Sequence, residues 1–149
     1  MRFYLGTHRP EWLGRADVPV PLFVSRRRLV GRKTFPRSTH RWALDSGGFT
    51  ELSMHGGWTI GAKQYANEVR RFSDEIGMLD YAAPQDWMCE APMLANTGLT
   101  IAQHQERTVE NYLELLAIAP EIPWIPVVQG WTLGDYLACV ERYDKAGVG

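Results

Sequence analysis

Acidic residues are missing from one long interval of this chain. Between Asp17 and Asp45 there is no Asp or Glu, yet the interval holds Arg26, Arg27, Arg28, Arg32, Lys33, Arg37 and Arg41. Seven cations without a local counter-charge suit a surface that meets phosphates. Arg26, Arg27, Arg28, Arg32 and Lys33 are therefore the candidates for nucleic-acid binding, with a solvated loop or helix face as the plainer alternative. The chain as a whole is no polycation, because 16 Lys and Arg stand against 17 Asp and Glu. Cysteine is nearly absent. Cys89 and Cys139 lie far apart, with no C-x-x-C and no Cys/His cluster, which excludes a zinc framework. No cofactor is expected, and lone cysteines fit a reducing cytoplasm. No apolar run approaches the length of a membrane span, and the opening Met1-Arg2-Phe3-Tyr4-Leu5-Gly6 is too short an apolar run for a signal peptide. What remains is an ordinary globular composition, 149 residues of which 45% are hydrophobic and 22% charged, enough for a single domain over residues 1–149.

The apolar pattern then sets the fold class. Short apolar runs at Phe3–Leu5, Leu22–Ser25, Trp42–Asp45, Met78–Pro84 and Trp124–Gly130 read as five strands, the last of them buried. Between them lie helical patterns. Gly48 to His55 is a short helix closed by Gly56-Gly57. Tyr65, Val69, Phe72 and Ile76 recur at helical spacing and Gly77 stops them. Thr100-x-x-Gln103 and Thr132-x-x-Asp135 are capping signals. The first opens a helix with Ile101, Val109, Tyr112, Leu113 and Leu116 inward, and the second a helix with Leu133, Leu137 and Val140 inward. Alternation of strand and amphipathic helix implies an α/β fold with a parallel sheet covered by helices. A small open sheet fits the length. A (β/α)8 barrel typically takes about 250 residues, and this chain stops after a helix where another strand is expected, so an incomplete TIM-type barrel is the competing expectation.

In parallel α/β folds the chemistry gathers at the carboxyl ends of the strands. Those ends carry Asp45 and Ser46, then Asp86, then Gln129 and Gly130. Asp45-Ser46-Gly47-Gly48 places an acid beside two glycines, which let a ligand approach closely. Asp45 or Ser46 capping the following helix is the ordinary alternative. Asp80 reads as a structural acid and His104 as packed or solvated. Two carboxylates and an amide match guanine, whose N1–H and N2–H suit a carboxylate and whose O6 suits an amide donor.

These residues resemble a known family. Leu44-Asp45-Ser46-Gly47-Gly48-Phe49 is similar to the D-S-G-G-F motif of the tRNA-guanine transglycosylases, and Val127-Val128-Gln129-Gly130 to their V-Q-G strand end. Pro84-Gln85-Asp86-Trp87-Met88-Cys89-Glu90 stands where their second base-binding aspartate does. The whole string looks closest to the phage and bacterial branch that puts 7-deazaguanines into DNA. The resemblance implies a transferase that exchanges guanine for a 7-deazaguanine through a covalent nucleoside–enzyme intermediate. By the same resemblance Asp45 handles the proton as the catalytic acid. Ser46, Gly47, Asp86, Gln129 and Gly130 bind the base, and DNA or tRNA is the partner. The family's nucleophilic aspartate and its late glycine-rich strand lie beyond Gly149. The expectation is thus an N-terminal part of a transglycosylase-like barrel, inactive alone, that forms a homodimer or takes its missing half from a partner. Other readings are a non-catalytic nucleoside- or nucleic-acid-binding module, and a hydrolase with Asp45 and Glu90 as paired acids.

Overall fold

The computed structural model describes residues 2–149. Four parallel strands form one sheet in the order β1-β2-β3-β4: β1 (Leu5–Thr7), β2 (Leu22–Ser25), β3 (Trp42–Asp45) and β4 (Leu79–Ala82). The helices are α1 (Gly48–His55), α2 (Ala62–Ile76), α3 (Ala91–Thr97), α4 (Ile101–Ile118) and α5 (Leu133–Lys145). The first strand begins later than expected, at Leu5, and Phe3 stands 73% exposed.

One face of the sheet builds the core. Leu22, Val24, Trp42 and Leu44 point there and meet Tyr65, Val69, Phe72 and Ile76, the buried stripe of α2. These helix positions are spaced three and four apart, which keeps them on one side of the cylinder. Gly77 closes α2, and the Arg37 Nη1 donates to the carbonyls of Asp74 and Glu75 in its last turn. Arg37 is thus spent as a helix cap.

The other face is partly bare. Phe23 and Tyr81, at the same level of the register on either side of Ala43, are 38% and 39% exposed. At the amino ends of the strands this face is bridged by side chains. Asp80 is the extra residue at a register shift against β3, and its carboxylate accepts from Arg2, Tyr4 and Arg41. Tyr4 also packs edge-on against Tyr81 with ring centroids 6.3 Å apart. The flank of β1 therefore touches β4, although three strand spacings in a flat sheet would part them by roughly 14 Å. The sheet curls toward that face.

Three expectations fail here. Trp124–Gly130 is not a fifth strand. It makes a single parallel bridge, Ala82 to Trp124, with Ile125 N–H donating to Ala82 O. Pro123 and Pro126 have no N–H to extend a ladder, and Ile125 and Val128 are exposed rather than buried. Nor does α5 turn Leu133, Leu137 and Val140 inward. They are 74%, 57% and 42% exposed, while Cys139 and Tyr143 are buried. On α4, Leu116 is likewise exposed, and the buried side is His104, Gln105, Thr108, Val109, Tyr112 and Leu115. Both capping boxes form as expected. No helix among the described residues is long and apolar enough to cross a membrane.

Candidate active site

The turn after β3 is built by its glycines. Gly47 has φ 78°, a left-handed conformation that other residues resist, and a Cβ there would come within 3.3 Å of Arg27 Cγ. A Cβ on Gly48 would lie 2.9 Å from the Asp86 carbonyl oxygen. The turn therefore packs directly against the loop after β4. Asp45 is half-buried and accepts from Gly47 N–H at 3.2 Å. Ser46 is fully buried and accepts from Gly48 N–H at 3.0 Å. The local turn role and a site role thus coexist in these two side chains.

Asp86 is the centre of the cluster. Ser46 Oγ donates to its Oδ1 at 2.5 Å, and Gln129 Nε2 donates to Oδ2 at 2.7 Å. Three chain segments, after β3, after β4 and before α5, meet on one carboxylate. Burial pushes the Asp86 carboxyl up to about 6; the Asp45 charge adds to this, and the bonds from Ser46 and Gln129 oppose it. No cation is among its partners.

The supports are residues to which the sequence reading gave no part in the site, His104 among them, which it took as packed or solvated. Tyr65 donates its hydroxyl to Ala83 O, Trp58 Nε1 to Asp86 O, Asn111 Nδ2 to Gln85 O, and Trp87 N–H reaches Thr108 Oγ1. His104, which is fully buried, and Gln105 do the most. His104 Nδ1 donates to Met88 O at 2.7 Å and its Nε2 meets Thr97 Oγ1 at 2.7 Å. A carbonyl can only accept, so the proton sits on Nδ1, and burial holds the imidazole pKa below its usual value. Gln105 Nε2 donates to Gln129 O and to Asp135 O. Neighbouring residues of α4 thus hold the Asp86 loop and the Gln129 segment. The sequence signal was faint: polar residues on the inner side of an amphipathic helix.

Gly130 packs on the start of α5, where a Cβ would meet Tyr136 N at 2.9 Å. Phe49, the last residue of the D-S-G-G-F motif, stands 59% exposed on the first turn of α1.

The basic interval divides. Arg26 is buried, with Nε donating to Glu68 and Nη1 to Glu51, so it ties α1 to α2 and does not face solvent. Its assignment to nucleic-acid binding does not fit this placement. Arg41 is bound to Asp80 at the far end of the sheet. The carbonyls of Arg32 and Lys33 accept from Arg71 in the second half of α2, away from the strand ends. Arg27 and Arg28 alone of the five candidates follow β2 onto the rim that carries Asp45. Arg27 donates to Thr50 Oγ1, and Arg28 Nη2 lies 3.2 Å from His8 Nδ1. Among the described residues no group of three or more His, Cys, Asp or Glu is placed to hold a metal ion.

Comparison with known proteins gives one match. Neither the curated proteins nor the solved structures contain a match to this chain. A family model does match, over residues 1–149, and its description is DeoxyPurine in DNA protein A, or DpdA. A match along the whole chain shows the family: the chain belongs to the DpdA family.

Proposed function

We propose that this chain forms the base-recognition part of a transglycosylase that replaces guanine with a 7-deazaguanine in DNA. The observation that carries the reading is the meeting of Ser46, Asp86 and Gln129 beside Asp45 at the carboxyl ends of the strands. A carboxylate offers about four acceptor sites, and the protein fills two. The N1–H and N2–H edge of guanine supplies donors for the rest. Gln129 Nε2 has a second proton, which reaches O6. Adenine would set its N1 acceptor against the Asp86 carboxylate and its N6 donor against the Gln129 amide, and such mismatches in a buried site reject a base strongly. Exposed Phe49 offers a face on which the base stacks.

Base exchange follows from these roles. A carboxylate attacks C1′, the glycosidic bond breaks, and guanine leaves with a proton from Asp45. Asp45 then takes the proton of the incoming base as its nitrogen displaces the enzyme from C1′. Asp45 touches the base and its proton, and the covalent bond belongs to a different aspartate. Arg27 and Arg28 hold the DNA backbone along the rim.

We further read the four strands as part of a (β/α)8 barrel wall. Chain-order parallel pairing, the curl that brings Tyr4 onto Tyr81, and the bare apolar side chains of Phe23 and Tyr81 support this. An open doubly wound sheet would reverse its strand order. The exposed Leu133, Leu137 and Val140 of α5 suit the same completion by further strand–helix units, from this polypeptide or a partner.

The test is calorimetry of guanine and 7-deazaguanine binding to this chain, with exchange of labelled guanine into duplex DNA and into tRNA by the assembly that also carries the nucleophilic aspartate. Binding of both bases with exchange in DNA supports the reading. Exchange in tRNA alone moves the substrate to RNA, binding without exchange leaves a recognition module, and no binding of either base sinks the proposal.

A further inference from the structure

Trp131 is 64% exposed, a costly position for the largest apolar side chain. It lies two residues after Gln129, whose amide donates to Asp86. Its backbone is fixed. Trp131 N–H donates to Asp135 Oδ2 at 3.2 Å, and the same oxygen accepts from the Thr132 N–H and hydroxyl at 2.8 Å each. Gly130 is pressed against Asp135 and Tyr136, and Gln105 holds the carbonyls of Gln129 and Asp135. A rigid turn thus presents an indole to solvent, with Leu133 beside it at 74% exposure.

Whatever covers the indole lies within two residues of Gln129, the amide of the proposed base site. The occupant that comes and goes at this rim is the polynucleotide. A target base cannot reach Asp86 while stacked, and its departure leaves a gap in the duplex. Proteins that open base steps fill such gaps with apolar side chains, and an indole stacks on any neighbouring base. Arg27 and Arg28, on the same rim after β2, supply the charge that draws the backbone in.

We propose that Trp131 enters the DNA stack as the target guanine leaves it, and so determines whether duplex DNA is a usable substrate. The proposal rests on the base-exchange reading above. The test uses the full chain and oligonucleotides with 2-aminopurine next to the target guanine, as duplex and as the same single strand. Binding of wild type to the duplex raises 2-aminopurine fluorescence. Trp131→Ala removes most of that rise and weakens duplex binding by about tenfold or more, with a much smaller loss on the single strand. Trp131→Phe, which keeps a stacking face, falls between the two. Equal losses on both substrates, or none, overturn the wedge role while leaving base exchange standing. A wild-type chain that binds neither guanine nor DNA overturns both.

Discussion

Asp80 and Asp86 are two buried carboxylates placed at opposite ends of the same sheet, and their surroundings differ in kind. Asp80 is met by two guanidinium groups and a phenol: Arg2, Arg41 and Tyr4. Burial pushes its pKa up, but those bonds outweigh burial and hold it below the usual carboxylate range. Asp86 is met by a hydroxyl and an amide, and burial raises its pKa to about 6. A carboxylate neutralised by cations is a rivet. One kept among neutral donors retains a negative charge and spare acceptor sites that a ligand can use. The difference agrees with placing the proposed site at the Asp86 end of the sheet.

The comparison can be broken most directly at Asp45, which shares the Asp86 end. Asp45→Asn should lower exchange of labelled guanine by about 10²–10⁴-fold, the usual worth of a positioned proton carrier, with its thermal melt little changed. Asp80→Asn should do the reverse, losing melting temperature and keeping exchange; an Asp80 variant that folds but cannot exchange would erase the distinction. Next comes Arg26, a buried cation that is paired as Asp80 is. Arg26→Ala leaves Glu51 and Glu68 without their partner and should cost about 3–5 kcal/mol in denaturant unfolding; a cost near zero would mean that the ion pairs are not formed.

Acid and base sensitivity sharpen the contrast further. The raised pKa of Asp86 makes its contribution full below the unfolded value near 3.8 and lost as pH rises through about 6. Asp86→Asn should therefore melt higher than wild type at pH 7.5, and this advantage should vanish by pH 4. Asp80 has the opposite sign: its lowered pKa stabilises above the unfolded value and fades as the medium turns acid. Asp80→Asn should lose most at neutral pH and converge on wild type in acid. Melting curves across pH 3.5–7.5 that show both variants moving in the same direction would refute the comparison. The smallest effect expected is at the rim, where Arg27→Ala should make the salt dependence of DNA binding shallower by about one phosphate contact. Arg37→Ala, which uncaps α2, should leave that slope alone.

Much of this was legible in the residues. Trp42–Asp45 and Leu22–Ser25 alternate or run apolar over a strand length, and both emerge as strands. The capping boxes at Thr100 and Thr132 depend only on local hydrogen bonds, so the sequence carries them complete. The Trp124–Gly130 segment misled because its apolar content resembles a strand, while Pro126 inside it and Pro123 just before it withhold the donors that a ladder needs. The face of α5 misled for another reason. Periodicity reveals an apolar stripe but not what lies opposite it, and here Cys139 and Tyr143 find the core first. The short α3, opening on Ala91-Pro92, was too brief to leave a period.

In the proposed site, Asp45, Ser46 and Asp86 could be picked out because they follow the carboxyl ends of adjacent parallel strands; Gln129 was picked out on a segment that forms no strand, yet its amide still reaches Asp86. The removal of Arg26 from the surface could not, because it depends on Glu51 and Glu68 from two different helices. The same holds for His104 and Gln105, whose partners are backbone carbonyls that no side-chain pattern announces.

Those two residues have one more consequence. Because His104 grips Met88 and Gln105 grips Gln129, both sides of the proposed base site are referenced to a single helical turn of α4. In the base-exchange reading, a small rotation or slide of that helix carries the Asp86 loop and the Gln129 segment together, and the spacing that suits one ring size is kept while the outer layer moves.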